Sequence, residues 1–239
     1  MDSISGKIAA VTGGTRGIGR AIAEWLLRAG AHVAICGRTR ESVDRATAQL
    51  QSLGRVVGRP ADVTQPDQVH DFFEAIDGEF GGLDILVNNA GAGVFHKVAE
   101  MTLEEWHRNI DLNLNGPFYC SREALARFRN RGGGFIINIS SLAGKNAFSG
   151  GAGYNASKFG LNGFGEALML DHRYDDVRVA TIMPGSVRTD FAGGPSDRSG
   201  DTGWMIAPED VAEVVGVVLR MPARTMVSRV EMRPARPKK

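Results

Sequence analysis

The chain has 239 residues, 43% of them hydrophobic and 23% charged, which suits one sizeable globular core. Its formal net charge of +1 argues against nucleic acid or acidic lipid as partners, and the basic stretch at residues 233–239 is typical of a solvated terminus. Residues 1–6 are too few and too polar for a signal peptide, and no apolar run is long enough to cross a bilayer. We therefore expect a soluble, cytoplasmic protein.

Neither the cysteines nor the histidines form a pattern that would bind a metal. Cys36 and Cys120 have apolar neighbours and lack the spacing of a metal or redox site, which predicts buried free thiols in a reducing compartment. The five histidines are scattered along the chain, so the sequence predicts no metal site.

Strand-like and helical patterns alternate along the whole chain. Short apolar segments predict seven strands, at residues 7–12, 32–36, 56–58, 83–87, 135–139, 177–183 and 226–232. Helical spacing fills the intervals: the first helix ends at Gly30, another ends near Asp171, and the last runs from Pro208 to about Leu219. Apolar strands that alternate with helices are typical of a parallel sheet covered on both faces. Because no linker divides the chain, we expect one domain over residues 1–239.

Two helix starts have the spacing of a capping box, in which two side chains and two backbone N–H groups pair reciprocally. Thr64 and Asp67 predict one capping box. Thr102 and Glu105 predict the other, at the start of a long helix that continues through Phe118.

A glycine-rich turn joins the first strand to the first helix and contains Gly13, Gly17 and Gly19. In that position backbone N–H groups can reach a pyrophosphate at the positive end of the helix. The position therefore predicts nucleotide binding, although a simple tight turn is the alternative.

The end of the second strand indicates which dinucleotide binds. An acidic residue there would bind the ribose 2′-hydroxyl, but the chain has Cys36-Gly37-Arg38, and Arg16 lies in the glycine-rich turn. Two guanidinium groups contributing roughly 1.5–3 kcal/mol each would prefer a 2′-phosphate by at least about a hundredfold. NADP(H) is therefore favoured over NAD(H). The alternative is that both arginines are solvated or pair with acids such as Glu41.

Tyr154 and Lys158 are four residues apart and share one face of a predicted helix. An unperturbed tyrosine titrates near ~10, and a cation about 4 Å away contributes roughly 4 kcal/mol at a moderate dielectric. That is sufficient to lower the pKa of the tyrosine into the range of a general acid or base near pH 7. The spacing alone also fits an exposed lysine beside a half-buried tyrosine.

Together these motifs resemble the short-chain dehydrogenase/reductase family over nearly the whole chain. The matches stand in the family's order and spacing. Along the chain they are T-G-x-x-x-G-x-G at residues 12–19, Asp-Val at 62–63, N-N-A-G at 88–91, Asn113, Ser141, Y-x-x-x-K at 154–158 and P-G-x-V-x-T at 184–189. The chain is most similar to 3-oxoacyl-(acyl-carrier-protein) reductases and related carbonyl reductases.

The resemblance implies a single-domain α/β fold of the Rossmann type, a doubly wound parallel sheet of about seven strands in the order 3-2-1-4-5-6-7. The polar, glycine-rich composition after Asp190 separately predicts a short substrate lid at about residues 190–206. A homotetramer is expected, with a dimer as the alternative, assembled through the long fourth and fifth helices and the last strand. Apolar residues in excess of one core's needs support this assembly: Ala124, Leu125, Phe128, Phe164, Leu168 and Leu170.

The resemblance further implies a role for each catalytic position. Tyr154 would exchange a proton with the carbonyl oxygen, and Lys158 would lower the pKa of Tyr154 and bind the nicotinamide ribose. Ser141 would hold and polarise the substrate carbonyl, and Asn113 would anchor a water that links Lys158 to solvent.

Two neighbours compete with these assignments, Ser140 with Ser141 and Asn115 with Asn113. The cofactor-binding residues that the resemblance implies are Gly13, Thr15, Arg16, Gly17, Ile18, Gly19, Arg38, Asp62, Val63, Asn89, Ala90, Gly91, Tyr154, Lys158, Pro184, Gly185, Val187 and Thr189.

The substrate is not fixed by the family, because one fold serves many reactions. Candidates for lining the substrate side are Phe95, His96, Phe148, Phe191 and Trp204, with packing or oligomer contact as the alternative. A carrier-protein or CoA-linked substrate would suit a basic surface, and such a group lies at Arg127, Arg129 and Arg131. A solvated helix end is the alternative for these arginines.

Three functions follow in order of preference. The first is NADPH-dependent reduction of a ketone, such as a 3-oxoacyl thioester, to a secondary alcohol with Tyr154 as proton donor. The second is NAD(P)-dependent oxidation of a polyol, sugar or other secondary alcohol. A nucleotide-sensing protein without activity ranks last, because the serine, tyrosine and lysine are all present.

Overall fold

The computed structural model describes residues 3–191 and 202–237. Its strands are β1 (Ile8–Thr12), β2 (His32–Gly37), β3 (Val56–Pro60), β4 (Ile85–Asn88), β5 (Gly134–Ile139), β6 (Val177–Pro184) and β7 (Arg229–Met232). They pair in parallel in one sheet of order β3-β2-β1-β4-β5-β6-β7. The predicted Rossmann-type sheet and its strand order are confirmed.

Helices cover both faces of this sheet. They are α1 (Gly17–Arg28), α2 (Arg40–Leu50), α3 (Pro66–Phe80), α4 (Leu103–Ile110), α5 (Gly116–Arg131), α6 (Ala152–His172) and α7 (Pro208–Leu219). Successive residues of a strand point to opposite faces, so Ala9 and Val11 join the core under α1 and α7, whereas Ile8 and Ala10 join the core under α3 and α5. Burial on both faces explains why the strands are apolar throughout.

The two predicted capping boxes have different outcomes. At the start of α4, Glu105 N donates to Thr102 Oγ1 at 3.1 Å and Thr102 N donates to Glu105 Oε2 at 3.0 Å, as predicted. The Thr64 box is wrong, because α3 begins at Pro66 and its N-cap residue makes no side-chain hydrogen bond. The Thr64 hydroxyl donates instead to Asp62 Oδ1 at 2.9 Å, which fixes the turn before the helix.

The predicted long helix is interrupted. α4 ends at Ile110, a π-helical turn spans Asp111–Asn115, and α5 begins at Gly116. Pro117 provides the physical reason, since it lacks the N–H that would donate to the carbonyl of Asn113 in a regular α-helix. Single π turns are frequent at functional sites, and this one carries Asn113.

Most of the apolar residues predicted to form an oligomer contact belong instead to the core of the chain. Ala124, Phe128 and Leu168 are buried and Leu125 and Phe164 pack against them, because these faces of α5 and α6 lie on the sheet. The large apolar side chains that α5 and α6 do expose are Phe118, Phe159 and Leu170.

The basic group before Gly132 is largely paired within the chain. Arg127, with a nearly buried side chain, contacts three carboxylates at 2.7–2.9 Å, those of Glu74, Asp77 and Glu123. Arg131 pairs with Asp84 at 3.0 Å, while Arg129 is exposed. The group therefore offers less free positive charge than the sequence suggests.

Both cysteines are buried free thiols, as predicted, and burial raises the pKa of Cys36 to about 12. Within residues 3–191 and 202–237, no cluster of three or more His, Cys, Asp or Glu side chains is arranged to hold a metal ion. None of the helices in the same residues combines the length and apolar character needed to span a bilayer.

Candidate active site

One cleft of about 460 Å³ opens at the carboxyl ends of the strands. In an open parallel sheet this edge is where ligands bind, on either side of the point at which the strand order reverses. All the predicted cofactor residues line the cleft except Gly19. Gly19 lies beneath the loop, where a Cβ atom would collide with the Asn89 amide and the Gly13 carbonyl.

The glycine-rich turn is shaped for close approach of a ligand to the backbone. Gly13 and Gly17 have φ values of +63° and +54°, a region that side chains disfavour. A Cβ on Gly13 would lie 3.0 Å from the Cα of Ala90, so the turn also packs tightly on the N-N-A-G segment. The turn leads into the N-terminus of α1, whose first N–H groups are oriented to bind an anion.

Hydrogen bonds attach the N-N-A-G segment to β1. Thr12 Oγ1 accepts from the backbone N–H groups of Asn89 and Ala90, both at 3.0 Å. The Asn89 amide donates to the carbonyls of Thr12 at 2.9 Å and Gly13 at 3.2 Å. These bonds hold the two loops that flank the centre of the cleft in a fixed relation.

The end of the cleft beside β2 carries positive charge. Arg38 is exposed and has no ion pair among the described residues, and Glu41 pairs with Arg45 rather than with Arg38. Arg16 lies 3.9 Å from Asp190 in an exposed pair, which is weak. On the opposite wall Asp62 is oriented by Thr64, whose backbone N–H donates to it at 3.0 Å.

Ser141, Tyr154 and Lys158 meet in the cleft below the glycine-rich turn. The helix α6 buries both Tyr154 and Lys158, and Ser141 follows β5. Lys158 Nζ lies 5.8 Å from the centre of the Tyr154 ring and donates to the Ile139 carbonyl at 3.1 Å. An ammonium has three donors, so two remain for a ligand in the cleft.

Burial controls the ionisation of this group. Desolvation raises the pKa of Tyr154 to about 12, against the opposing effect of a hydrogen bond with Ser141. Desolvation also lowers the pKa of Lys158 to about 8. The lowered tyrosine pKa expected from the sequence is not what the protein by itself displays, because desolvation has the largest effect on Tyr154.

Asn113 does not line the cleft but is fully buried directly behind it. Its amide donates to the Ala92 carbonyl at 2.8 Å and to Ser157 Oγ at 3.1 Å, and its oxygen accepts from Ala92 N at 3.1 Å. These bonds give Asn113 a positioning role toward the loop after N-N-A-G. Asn115, its neighbour, donates to Asp111 at 2.7 Å within the π turn.

The two serines after β5 have different surroundings. Ser140 is buried and donates to Asn162 Oδ1 at 2.6 Å, so its hydroxyl is engaged in holding α6. Ser141 Oγ accepts from Ala143 N at 3.1 Å and hydrogen-bonds Tyr154. The geometry favours Ser141 as the hydroxyl that meets a ligand.

Two of the predicted substrate-side aromatics contact Tyr154, and a third extends the group from one of them. The Tyr154 ring lies 5.5 Å from that of Phe95 and 5.6 Å from that of Phe191, and Phe148 lies 5.6 Å from Phe95. We call these four rings the aromatic row. Trp204 is half-buried and does not line the cleft, and His96 is turned to Glu105 at 3.0 Å. Residues 192–201 of the predicted lid lie outside the described residues.

Several lining residues were not predicted from the sequence. They are Cys36, Gly37, Ala61, Ala92, Gly93, Arg108, Leu112, Ile139, Ser140 and Asp190. Most of them are sequence neighbours of predicted positions, so extending each predicted segment by one or two residues would have identified them. Arg108 is the exception. It lies one turn before Leu112 on the same helix face and is exposed.

Comparisons with known proteins agree with this geometry. Residues 7–198 match the family model for short chain dehydrogenases. An uncharacterized oxidoreductase of Staphylococcus aureus is 34% identical over 237 residues, 98% of this chain and all of the relative. A 3alpha-hydroxysteroid dehydrogenase of Mediterraneibacter gnavus is 37% identical over 191 residues, 79% of this chain and 76% of the relative.

The fold matches solved structures equally well. L-sorbose reductase from Gluconobacter frateurii, in complex with NADPH and L-sorbose, superposes with a TM-score of 0.89 at 29% identity and covers 98% of both chains. The glycine-rich turn, the serine, the tyrosine and the lysine of this chain lie at the cleft in the arrangement that its sequence motifs predict. The chain belongs to the short-chain dehydrogenase/reductase family of NAD(P)-dependent oxidoreductases.

Proposed function

We propose that the protein reduces a ketone to a secondary alcohol with NADPH. The observation that carries the proposal is the convergence of Ser141, Tyr154 and Lys158 in the cleft that begins at the glycine-rich turn. The residues fit a dinucleotide: two positive-φ glycines allow close backbone approach, and the cleft extends from the cations beside β2 to Tyr154. When bound, the cofactor supplies the hydride.

Each of the three side chains has a distinct task. The Ser141 hydroxyl binds and polarises the substrate carbonyl oxygen. Tyr154 donates its phenolic proton to that oxygen as the carbon is reduced, a step that contributes about 10²–10⁴-fold. Lys158 stabilises the resulting phenolate by its charge, and its two remaining donors bind the nicotinamide ribose.

Burial raises the pKa of Tyr154 to about 12, so at neutral pH the phenol holds the proton that carbonyl reduction requires. Oxidation of a polyol, sugar or steroid-like alcohol would use the same three side chains in reverse and is the second candidate. The hydroxysteroid dehydrogenase and L-sorbose reductase relatives illustrate that range.

Oxidation of NADPH with a panel of ketones, including an acetoacetyl thioester, tests the reaction. The reverse assay uses NADP⁺ with the corresponding alcohols. We expect turnover in the reductive assay at pH 7, falling when Ser141→Ala is substituted. Turnover found only with alcohols would favour the second candidate. Cofactor binding without any turnover of ketone or alcohol would favour the sensor.

We also propose that NADP(H) is preferred to NAD(H). Arg38 and Arg16 provide guanidinium groups beside the end of β2, and that strand end, Cys36-Gly37-Arg38, has no acidic residue of its own. Thr39 caps α2 immediately after Arg38, so the positive end of that helix adds to the same site. The complex of L-sorbose reductase with NADPH is consistent with this choice.

Binding titrations of NADPH and NADH measure the preference directly. Arg38→Ala should weaken NADPH binding about 10- to 100-fold and leave NADH binding nearly unchanged, because only NADPH carries the 2′-phosphate. Arg45→Ala, which lies on α2 one turn after Glu41 and pairs with it, is the matched control. Equal weakening of both cofactors would contradict the assignment of Arg38.

We propose, finally, that the chain forms a homotetramer, with a dimer as the alternative. The support is the group of large apolar side chains that α5 and α6 expose, Phe118, Phe159 and Leu170. Light scattering should give about four times 25.6 kDa for the tetramer, and Phe118→Glu should lower it. A mass of one chain would contradict the assembly. A carrier-protein-linked substrate receives no support from Arg127 and Arg131, which are paired within the chain.

A further inference from the structure

The aromatic row exposes apolar surface beside the Tyr154 phenol, the proton donor of the proposed reaction. Phe191, Phe95 and Phe148 are 37%, 40% and 46% exposed, whereas Tyr154 between them is only 7% exposed. Phe95 stands edge-on to Tyr154 at 87° and Phe191 is tilted at 55° on it. Contiguous exposed rings of this kind are typical of a surface that a ligand covers.

At two glycines next to the aromatic row, a side chain would collide with its rings. A Cβ on Gly93 would lie 2.5 Å from the Phe95 ring and 3.1 Å from that of Phe191, and Gly93 itself lines the cleft. A Cβ on Gly151, at the start of α6, would lie 2.6 Å from the Phe148 ring. Gly93, Tyr154 and Phe191 line the cleft, and Phe95 and Phe148 extend the row outward from them, so the row is continuous with the cleft at its Tyr154 end.

The polar side chains beside the row are already engaged. Asn109 bonds both backbone groups of Val94, at 3.2 Å each. Asn155 donates to the Ala143 carbonyl at 2.6 Å, and His96 pairs with Glu105. These three side chains are thus committed to partners within the chain, whereas the exposed Arg108 in the lining of the cleft is the charged group that a ligand there would meet.

These contacts favour an apolar cyclic substrate over a polyhydroxylated one. A polyhydroxylated ketone seated against the rings would lose water from several hydroxyls without gaining partners, which is unfavourable for each of them. An apolar ring would instead cover aromatic surface, and an aromatic one would also gain offset or edge-to-face contacts. The bias is toward a substrate that is apolar and cyclic next to its carbonyl.

We infer that the protein reduces an apolar ketone whose carbonyl is part of, or directly attached to, a carbocyclic or aromatic ring, with that ring held against Phe95, Phe148 and Phe191. The inference rests on the proposed function. The carbonyl carbon gains a hydride from the reduced nicotinamide, and the oxygen gains the proton of Tyr154. The aromatic row positions the ring so that the carbonyl oxygen meets Ser141 and Tyr154.

Turnover of matched ketones tests the substrate class. With NADPH, 2-decalone should give a kcat/KM at least about a hundredfold above that of an open-chain polyhydroxy ketone and of an acetoacetyl thioester. Phe95→Ala and Phe148→Ala should each lower kcat/KM about tenfold more for 2-decalone than for the polyhydroxy ketone, mainly through KM. Tyr174→Ala, an exposed aromatic before β6 at the opposite edge of the sheet, is the control.

Binding without turnover separates this inference from the reaction itself. Tyr154→Phe keeps the ring of the row but removes the proton donor, so saturation-transfer NMR of 2-decalone with this variant and NADPH reports contact alone. Signal that disappears in the Phe95→Ala background supports the aromatic surface even if no ketone is ever reduced. Reduction of the polar ketones with equal or better efficiency, or ring variants without effect on binding and turnover, would overturn the inference and leave the ketone reductase intact.

Discussion

Lys158 places a buried ammonium group in the lining of the cleft, at a cost in folding stability. Its pKa is about 8 in the folded chain, against 10.5 for an unperturbed lysine, because the helix α6 removes it from water. By linkage this difference corresponds to a cost of about 3 kcal/mol at pH 7, where both states are protonated. The single hydrogen bond to the Ile139 carbonyl offsets part of it.

Lys158→Met should therefore stabilise the protein by about 1–2 kcal/mol at pH 7 while abolishing turnover. The folded pKa is the lower one, so between pH 8 and 10.5 the unfolded chain binds more protons and the wild type gains stability with rising pH. The advantage of the variant should thus vanish by about pH 10. Urea unfolding at pH 7 and pH 10 measures both effects.

Lys97→Met is the control for that comparison, because Lys97 is exposed. It should leave stability within about 0.5 kcal/mol of wild type at both pH values. A Lys158→Met variant that is less stable than wild type at pH 7, or whose difference does not depend on pH, would contradict the buried-charge account.

Tyr154 and Lys158 show which properties of the site can be predicted from the sequence and which cannot. The spacing of Tyr154 and Lys158 was sufficient to place both in one cleft, since four residues make one helical turn. It was not sufficient to give the direction of the tyrosine's pKa shift, because burial depends on distant segments such as the two loops that carry Phe95 and Phe191. The structure adds the desolvation that raises this pKa.

The elements of the site are held together by few hydrogen bonds, and Thr12 at the end of β1 makes several of them. Its hydroxyl accepts from Asn89 N and Ala90 N, and donates to the Val87 carbonyl at 3.4 Å. One side chain thus connects the strand before the glycine-rich turn to the segment after β4. The sequence places both segments at the same sheet edge, but it does not reveal this bond.

Thr12→Val should cost about 2–4 kcal/mol of unfolding free energy. The substitution keeps the shape of a side chain that is 2% exposed and leaves two backbone N–H groups without their acceptor. NADPH binding should weaken as well, because both loops line the cleft. Thr47→Val is the control. Its hydroxyl donates only to the helical Val43 carbonyl, so the expected cost is well below 1 kcal/mol. Equal losses in the two variants would argue against the role of Thr12.

The interrupted helix is the element that the sequence described least well. Helical spacing runs through residues 103–118, and only Pro117 signals the π turn that separates α4 from α5. The turn directs Asn113 inward, where it bonds Ala92 and Ser157. In a continuous α-helix the Asn113 side chain would point in another direction, because one inserted residue rotates the side chains that follow it by about 100° about the helix axis.

For the molecule as a whole, the sequence was most informative about topology. Seven apolar strands alternating with helices correspond to the observed order β3-β2-β1-β4-β5-β6-β7, because right-handed crossovers and two covered faces leave few other arrangements. Long-range pairing was less visible. Nothing local to Arg127 indicates that Glu74 and Asp77 on α3 will neutralise it, so its apparent basic surface was an overestimate.

The whole account depends on one side chain giving a proton to a substrate oxygen in a cleft that holds NADPH. The most direct test is Tyr154→Phe, measured by NADPH titration and by single-turnover oxidation of bound NADPH with a reducible ketone. We predict an NADPH Kd within about twofold of wild type and a rate reduced by about 10²–10⁴-fold. A variant that reduces the ketone at the wild-type rate would contradict the assignment of Tyr154 as the proton donor.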